Sequence, residues 1–148
     1  MKVGTVNFEY NIELITSDKH TGAIKEISNI HNAIVDTGLE RIARLLNGDS
    51  TTPFTQIAIG TGAVAVEVTD TALGAEVAKE TATASYVADN QAKWSYKFTF
   101  GSGESYTITE VGVFAGTVML NRALDAGKEV DADTDLTVNV TITVARAV

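Results

Sequence analysis

An antiparallel β-sandwich or barrel-like sheet with one short α-helix is the fold class this sequence predicts, from three observations. Leu136, Val138, Val140, Ile142 and Val144 alternate with Thr137, Asn139, Thr141 and Thr143, and a period of two puts apolar and hydroxyl side chains on opposite faces of a strand. Trp94, Tyr96, Phe98 and Phe100 alternate with Lys93, Ser95, Lys97 and Thr99 in the same way. Glycine turns separate such segments at intervals of about eight to twelve residues, the rhythm of an all-β domain. Residues 1–148 make a single β-rich domain, with the hairpin of residues 1–30 as a candidate docking element.

Phe8, Tyr10, Ile12 and Leu14 face one way and Asn7, Glu9, Asn11 and Glu13 the other, as in a half-buried first strand. Ser17 to Gly22 is polar and turns the chain into a return strand from Ala23 to Ile30. The spacing of Thr37 and Glu40 matches a capping box, in which each side chain satisfies an open backbone donor of the first helical turn. Leu39, Ile42, Ala43 and Leu46 follow at helical spacing, and Asn47-Gly48 supplies a stop. The helix expected is about Thr37 to Leu46, packed by one face on a sheet.

Phe54 to Ile59 is a short apolar strand that exits through Gly60-Thr61-Gly62. Residues 63–78 are expected to form a long excursion with a short helical turn capped by Asp70. Lys79 to Ala88 and Ala92 to Phe100 follow as strands, the second carrying the four core aromatics Trp94, Tyr96, Phe98 and Phe100. Gly101 to Glu104 turns into a strand from Tyr106 to Phe114, and Gly116 into another from Val118 to Leu124. An acidic loop from Asp125 to Asp135 then leads to the closing strand.

Nineteen acidic against eleven basic side chains give a net charge of −8, which repels polyphosphate and anionic lipid, so neither nucleic acid nor a membrane is an expected partner. No stretch has the length or hydropathy of a membrane span, and the first residues lack the apolar core of a signal peptide. Cysteine is absent, which excludes disulfides and thiolate chemistry.

Catalytic groups are scarce. His20 falls in a turn and His31 just ahead of the helix, with no nucleophile elbow to complete a triad. Asp131, Asp133 and Asp135 have a spacing that can gather carboxylates around Ca²⁺, with Asp125 or Glu129 as further ligands, yet an EF-hand fails because Leu136 and Ile142 stand where glycine and glutamate are required. Gly60-Thr61-Gly62 lacks the lysine of a phosphate loop. Glu110 interrupts an apolar strand, and a buried carboxylate needs a partner, for which Arg122 on the neighbouring strand is the candidate. No catalytic residue and no cofactor is expected.

Asn32-Ala33-Ile34-Val35-Asp36-Thr37-Gly38-Leu39, Ile57 to Gly62, Asp70 to Glu76, Ile108-Thr109-Glu110-Val111-Gly112-Val113-Phe114, Met119 to Leu124 and Leu136 to Val144, in this order, resemble a family of small tailed-bacteriophage virion proteins of tail, tail-fibre or collar type. The resemblance implies a non-enzymatic structural role in a virion assembled in the host cytoplasm, among identical copies and other virion proteins. A trimer or higher ring would let one surface be used repeatedly. The interface candidates are Asp125 and Glu129 in the acidic loop, Asp70 and Glu76 in the excursion, and the first hairpin. The alternatives are a capsid decoration protein that stabilises the shell and a carbohydrate-binding receptor-recognition module.

Overall fold

The computed structural model describes residues 4–31 and 33–147; Met1 to Val3, Asn32 at the head of the first resembling stretch, and Val148 lie outside the described residues. Alternating sequence becomes strand almost throughout: β1 (Val6–Asp18), β2 (Ile24–Ile30), β3 (Ala33–Ile34), then the helix α1 (Asp36–Leu46), β4 (Gln56–Gly60), β5 (Glu76–Thr81), β6 (Thr83–Val87), β7 (Gln91–Phe98), β8 (Ser105–Ala115), β9 (Val118–Asp131) and β10 (Thr134–Arg146). Every pairing is antiparallel. One layer runs in the order β2-β1-β10-β7-β6 and the other β3-β9-β8-β4-β5. The tight β9–β10 hairpin, closed at Thr134 and Asp131, joins them.

The main core lies between these layers. Ile12, Leu14, Trp94, Phe98, Leu136, Val138 and Val140 meet Ile57, Ile59, Ile108, Val111, Val113 and Ala123 there, which is how two one-sided sheets hide both apolar faces. Phe100 is buried just past the end of β7, and Tyr96 is half-buried with its ring 4.7 Å from that of Phe98 in an edge-on contact. A second, smaller core of Val35, Ala58, Leu73, Phe114 and Met119 sits on the outer side of the β8–β9 layer. A helix and a loop cover it.

The helix begins and faces differently from the sequence expectation. No side-chain cap forms: Val35 is the N-cap residue, Thr37 donates its hydroxyl to the Met119 carbonyl 2.9 Å away, and Glu40 accepts from Arg44. Thr37 is drawn to the sheet because β9 bulges at Leu120, leaving carbonyls that α1 and Val35 satisfy. Leu39, Ala43 and Leu46 consequently face outward, while Gly38 is buried and Ile42 and Leu45 pack inward. A Cβ on Gly38 would collide with the Leu120 backbone, 2.8 Å from its Cα, so the missing side chain sets how closely the helix approaches. Gly48 ends the helix with φ +78, as its sequence position predicts.

Three further expectations are corrected. Lys79 to Ala88 is two strands, because the chain crosses between layers at buried Ala82, whose amide donates to the Thr55 carbonyl at 2.8 Å. The excursion is real, but no helical turn forms at Asp70; residues 61–75 lie as irregular backbone over the β8–β9 layer. The acidic loop from Asp125 to Asp135 is instead mostly ladder, since β9 runs to Asp131 and only Ala132 and Asp133 separate it from β10.

Candidate functional site

Glu110 is completely buried on the outer side of β8, and Arg122 reaches it from β9 with Nε 3.0 Å from Oε1. The pair expected from sequence is therefore present. Its setting was not legible in advance: Gly62 and Ala75 each donate a backbone N–H to Oε2 at 2.7 Å, and Gly74 donates to Oε1 at 2.8 Å. The Gly60-Thr61-Gly62 exit thus does cradle an anion, but the anion is the chain's own carboxylate. Gly60 and Gly62 must lack side chains here, because a Cβ on Gly60 would lie 2.5 Å from the Ala75 carbonyl and one on Gly62 would strike the Glu110 carboxylate.

Arg122 completes the enclosure. Its Nη1 contacts Asp70 Oδ2 at 3.0 Å and its Nη2 donates to the Val64 carbonyl at 2.9 Å. Asp70 also accepts the Glu67 amide, and Thr109 donates its hydroxyl to the Gly62 carbonyl. One buried ion pair therefore ties down both arms and the middle of the 61–75 loop. The loop in turn presents Val64 and Val68, which are 75% and 54% exposed, and Val68 accepts the amide of Asp36 beside the exposed helix residue Leu39.

Burial pushes the Glu110 carboxyl up, but hydrogen bonds from Ala75, Gly74, Arg122 and Gly62 outweigh it and hold the group below its ordinary value of 4.5. A carboxylate so occupied stays ionised and has no proton to transfer at neutral pH. Its chemistry is that of an anchor.

A second buried acid, absent from the sequence expectation as an anchor, is Asp125. Residues 125–127 bulge out of β9 opposite Thr109, and Asp125 accepts from Ser28 at 2.6 Å, from the Gly127 amide at 2.8 Å and from Lys128 at 2.9 Å. Burial pushes its carboxyl up, whereas Ser28, Lys128 and Gly127 lower it below the ordinary 3.8. Lys128 lies 3.8 Å from Glu26 as well, so this cluster fastens β2 to β9. The sequence signal was Lys128 two residues before Val130 on the buried face of β9.

Folding therefore separates the interface candidates. Asp125 is buried and Asp70 turns toward Arg122, so neither offers a free carboxylate, while Glu129 is exposed and accepts from Thr107, and Glu76 lies 3.5 Å from Lys79. The Ca²⁺ candidates do not converge either. Asp131 caps the amide of Asp133, Asp133 contacts His20, and Asp135 is buried 3.5 Å from Lys97; among the described residues no three metal-ligating side chains meet. An unbroken strand would put all three on one face, but the turn at Ala132 and Asp133 divides them between the end of β9, the turn and β10. His31 contacts the Tyr10 carbonyl, and Trp94 donates its indole N–H to Phe54.

Acid should unfold the protein through these anchors. Both carboxyls are depressed in the folded chain, so the unfolded chain takes up protons first. Their contribution is complete above the ordinary carboxyl values and is lost as pH falls through them toward the folded values. Urea midpoints measured from neutral pH downward should fall below about pH 5, and Glu110→Gln should flatten the decline. An unchanged slope in that variant would remove Glu110 from the account.

No protein-family model, curated protein or solved structure matches this chain. No helix of the described residues is long and apolar enough to cross a membrane.

Proposed function

We infer that the chain is a non-enzymatic structural component of a tailed-bacteriophage virion, at the tail, neck or fibre, which acts by docking with identical copies and with another virion protein. The resemblance of six ordered stretches between residues 32 and 144 supports the virion reading. One structural observation supports the docking role: the most deeply buried ion pair, Glu110–Arg122, is spent on holding an outward loop that exposes Val64 and Val68. Ordering a loop before binding reduces the entropy lost when a partner covers it. Large exposed aliphatic residues beside a helix suit a protein surface.

Purified particles provide the test. Peptides of this chain should be found in them by mass spectrometry, and cryo-microscopy should place a two-layer β domain at the tail, neck or fibre with the 61–75 loop against a neighbour. Density over capsid lattice points would favour the decoration role instead. Absence of the chain from complete particles would overturn the virion reading.

A further inference from the structure

We propose that β6 is a self-pairing edge, through which two copies join antiparallel about a two-fold axis at Ser85 and extend the β2-β1-β10-β7-β6 layer across both. Among the described residues, Thr83-Ala84-Ser85-Tyr86-Val87 pairs only with β7, and all five residues are exposed. Its sequence has neither charge nor proline nor glycine and is rich in strand formers. Edges of this kind are normally blunted. Among the described residues, several other open edges carry charge or are short: β2 has Lys25 and Glu26, β5 has Glu76, Lys79 and Glu80, the half of β1 not paired with β2 has Glu9, and β3 is two residues long.

A second copy fits this edge better than a charged partner does. The chain carries −8, and an uncharged strand lets two like-charged molecules meet without opposed carboxylates. Centred on Ser85, antiparallel pairing sets Thr83 against Val87 and Ala84 against Tyr86 of the second copy, so the smallest side chain faces the largest. Ala84 and Tyr86 share the face of Trp94 and Ala92, their β7 partners. That face holds a groove of about 310 Å³ lined by Phe54, Ala84, Tyr86, Ala92 and Trp94 among others. Each Tyr86, 75% exposed in one copy, can lie across the Ala84 of the other toward this groove.

Strand direction also favours two-fold pairing over a ring. In a five-strand layer with every neighbour antiparallel, β2 and β6 point the same way. Rotating copies about an axis along the strands would therefore join β6 to β2 in parallel, the slightly less stable ladder. The proposal concerns only how two copies meet and stands apart from the virion reading.

Light scattering and single-cysteine crosslinking test it, since the native chain has no cysteine. Directly opposed strand residues have Cα atoms about 4.5–5.5 Å apart, within the roughly 4.4–6.8 Å that a disulfide spans. The native chain should show twice its own mass, Ser85→Cys should oxidise to a covalent dimer, and Ile24→Cys on β2 should not. Ser85→Pro should halve the mass with an unchanged far-ultraviolet circular dichroism spectrum; if that variant fails to fold, the Ser85→Cys crosslink decides. A monomeric native chain, a larger assembly that survives Ser85→Pro, or Ile24→Cys crosslinking as readily as Ser85→Cys would each overturn the pairing. A monomer found in purified particles would reject this edge and leave the virion reading standing, and a dimer missing from particles would do the reverse.

Discussion

Glu110→Ala is expected to destabilise the fold by about 3–5 kcal/mol, the usual cost of removing one partner from a buried ion pair. Arg122 is left desolvated with only Asp70 as a counter-charge, and the amides of Gly62, Gly74 and Ala75 lose their shared acceptor. A typical domain has about 5–15 kcal/mol in total, so the variant should unfold at a much lower urea concentration. The loss should also be local. Amide exchange at Gly62, Gly74 and Ala75 should accelerate ahead of exchange in β10, because the loop is released while the main core remains. Glu110→Gln preserves the volume but presents an NH₂ group toward backbone donors, and should recover only part of the stability. A Glu110→Ala protein with native urea midpoint and native exchange at those three amides would show that the ion pair does not hold the loop.

Trp94→Ala should cost roughly 3–5 kcal/mol by a different route, the loss of a large buried ring and the cavity it leaves. Trp94 is 8% exposed in the main core, and its indole N–H, 2.7 Å from the Phe54 carbonyl, links β7 to the lead-in of β4 in the opposite layer. Trp94→Phe keeps much of the apolar contact but removes the donor along with part of the ring system, and the Phe54 carbonyl left unpaired alone costs about 1–3 kcal/mol. Denaturant unfolding with an unchanged m-value should therefore order the three proteins as native, Trp94→Phe, Trp94→Ala. Equal midpoints for the native protein and Trp94→Phe would mean that the inter-layer hydrogen bond contributes nothing. Circular dichroism reports the loss of sheet in all three, including the two variants that lack the tryptophan.

The two predictions differ in how visible their residues were before folding. Trp94 stands in a strict alternation with lysines, and a period of two is a local property that any sheet must honour. Glu110 and Arg122 were visible as a pair because a charge inside an apolar strand is costly without a counter-charge. What the carboxylate does was hidden, since Gly62, Gly74 and Ala75 come from a loop with no periodicity. Asp125 was misplaced for a related reason: in a run of acidic and small residues, a bulged strand and a solvated loop look alike. The capping box of Thr37 and Glu40 satisfied the local rule and still did not form, because the bulge at Leu120 offered Thr37 a better acceptor.

By itself the sequence determined the all-β class, the inward aromatics, the position of the helix and the need for a Glu110–Arg122 pair, because strand alternation and the penalty on a buried charge depend on residues close in the chain or on a single strand. Only the tertiary structure decided the face of the helix, the division of residues 79–88 between two layers, the conversion of Asp125 into an anchor and the exposure of β6. Each of these depends on which distant backbone approaches, as Leu120 approaches Gly38 and residues 61–75 approach Glu110, and a single chain segment carries no record of its distant neighbours.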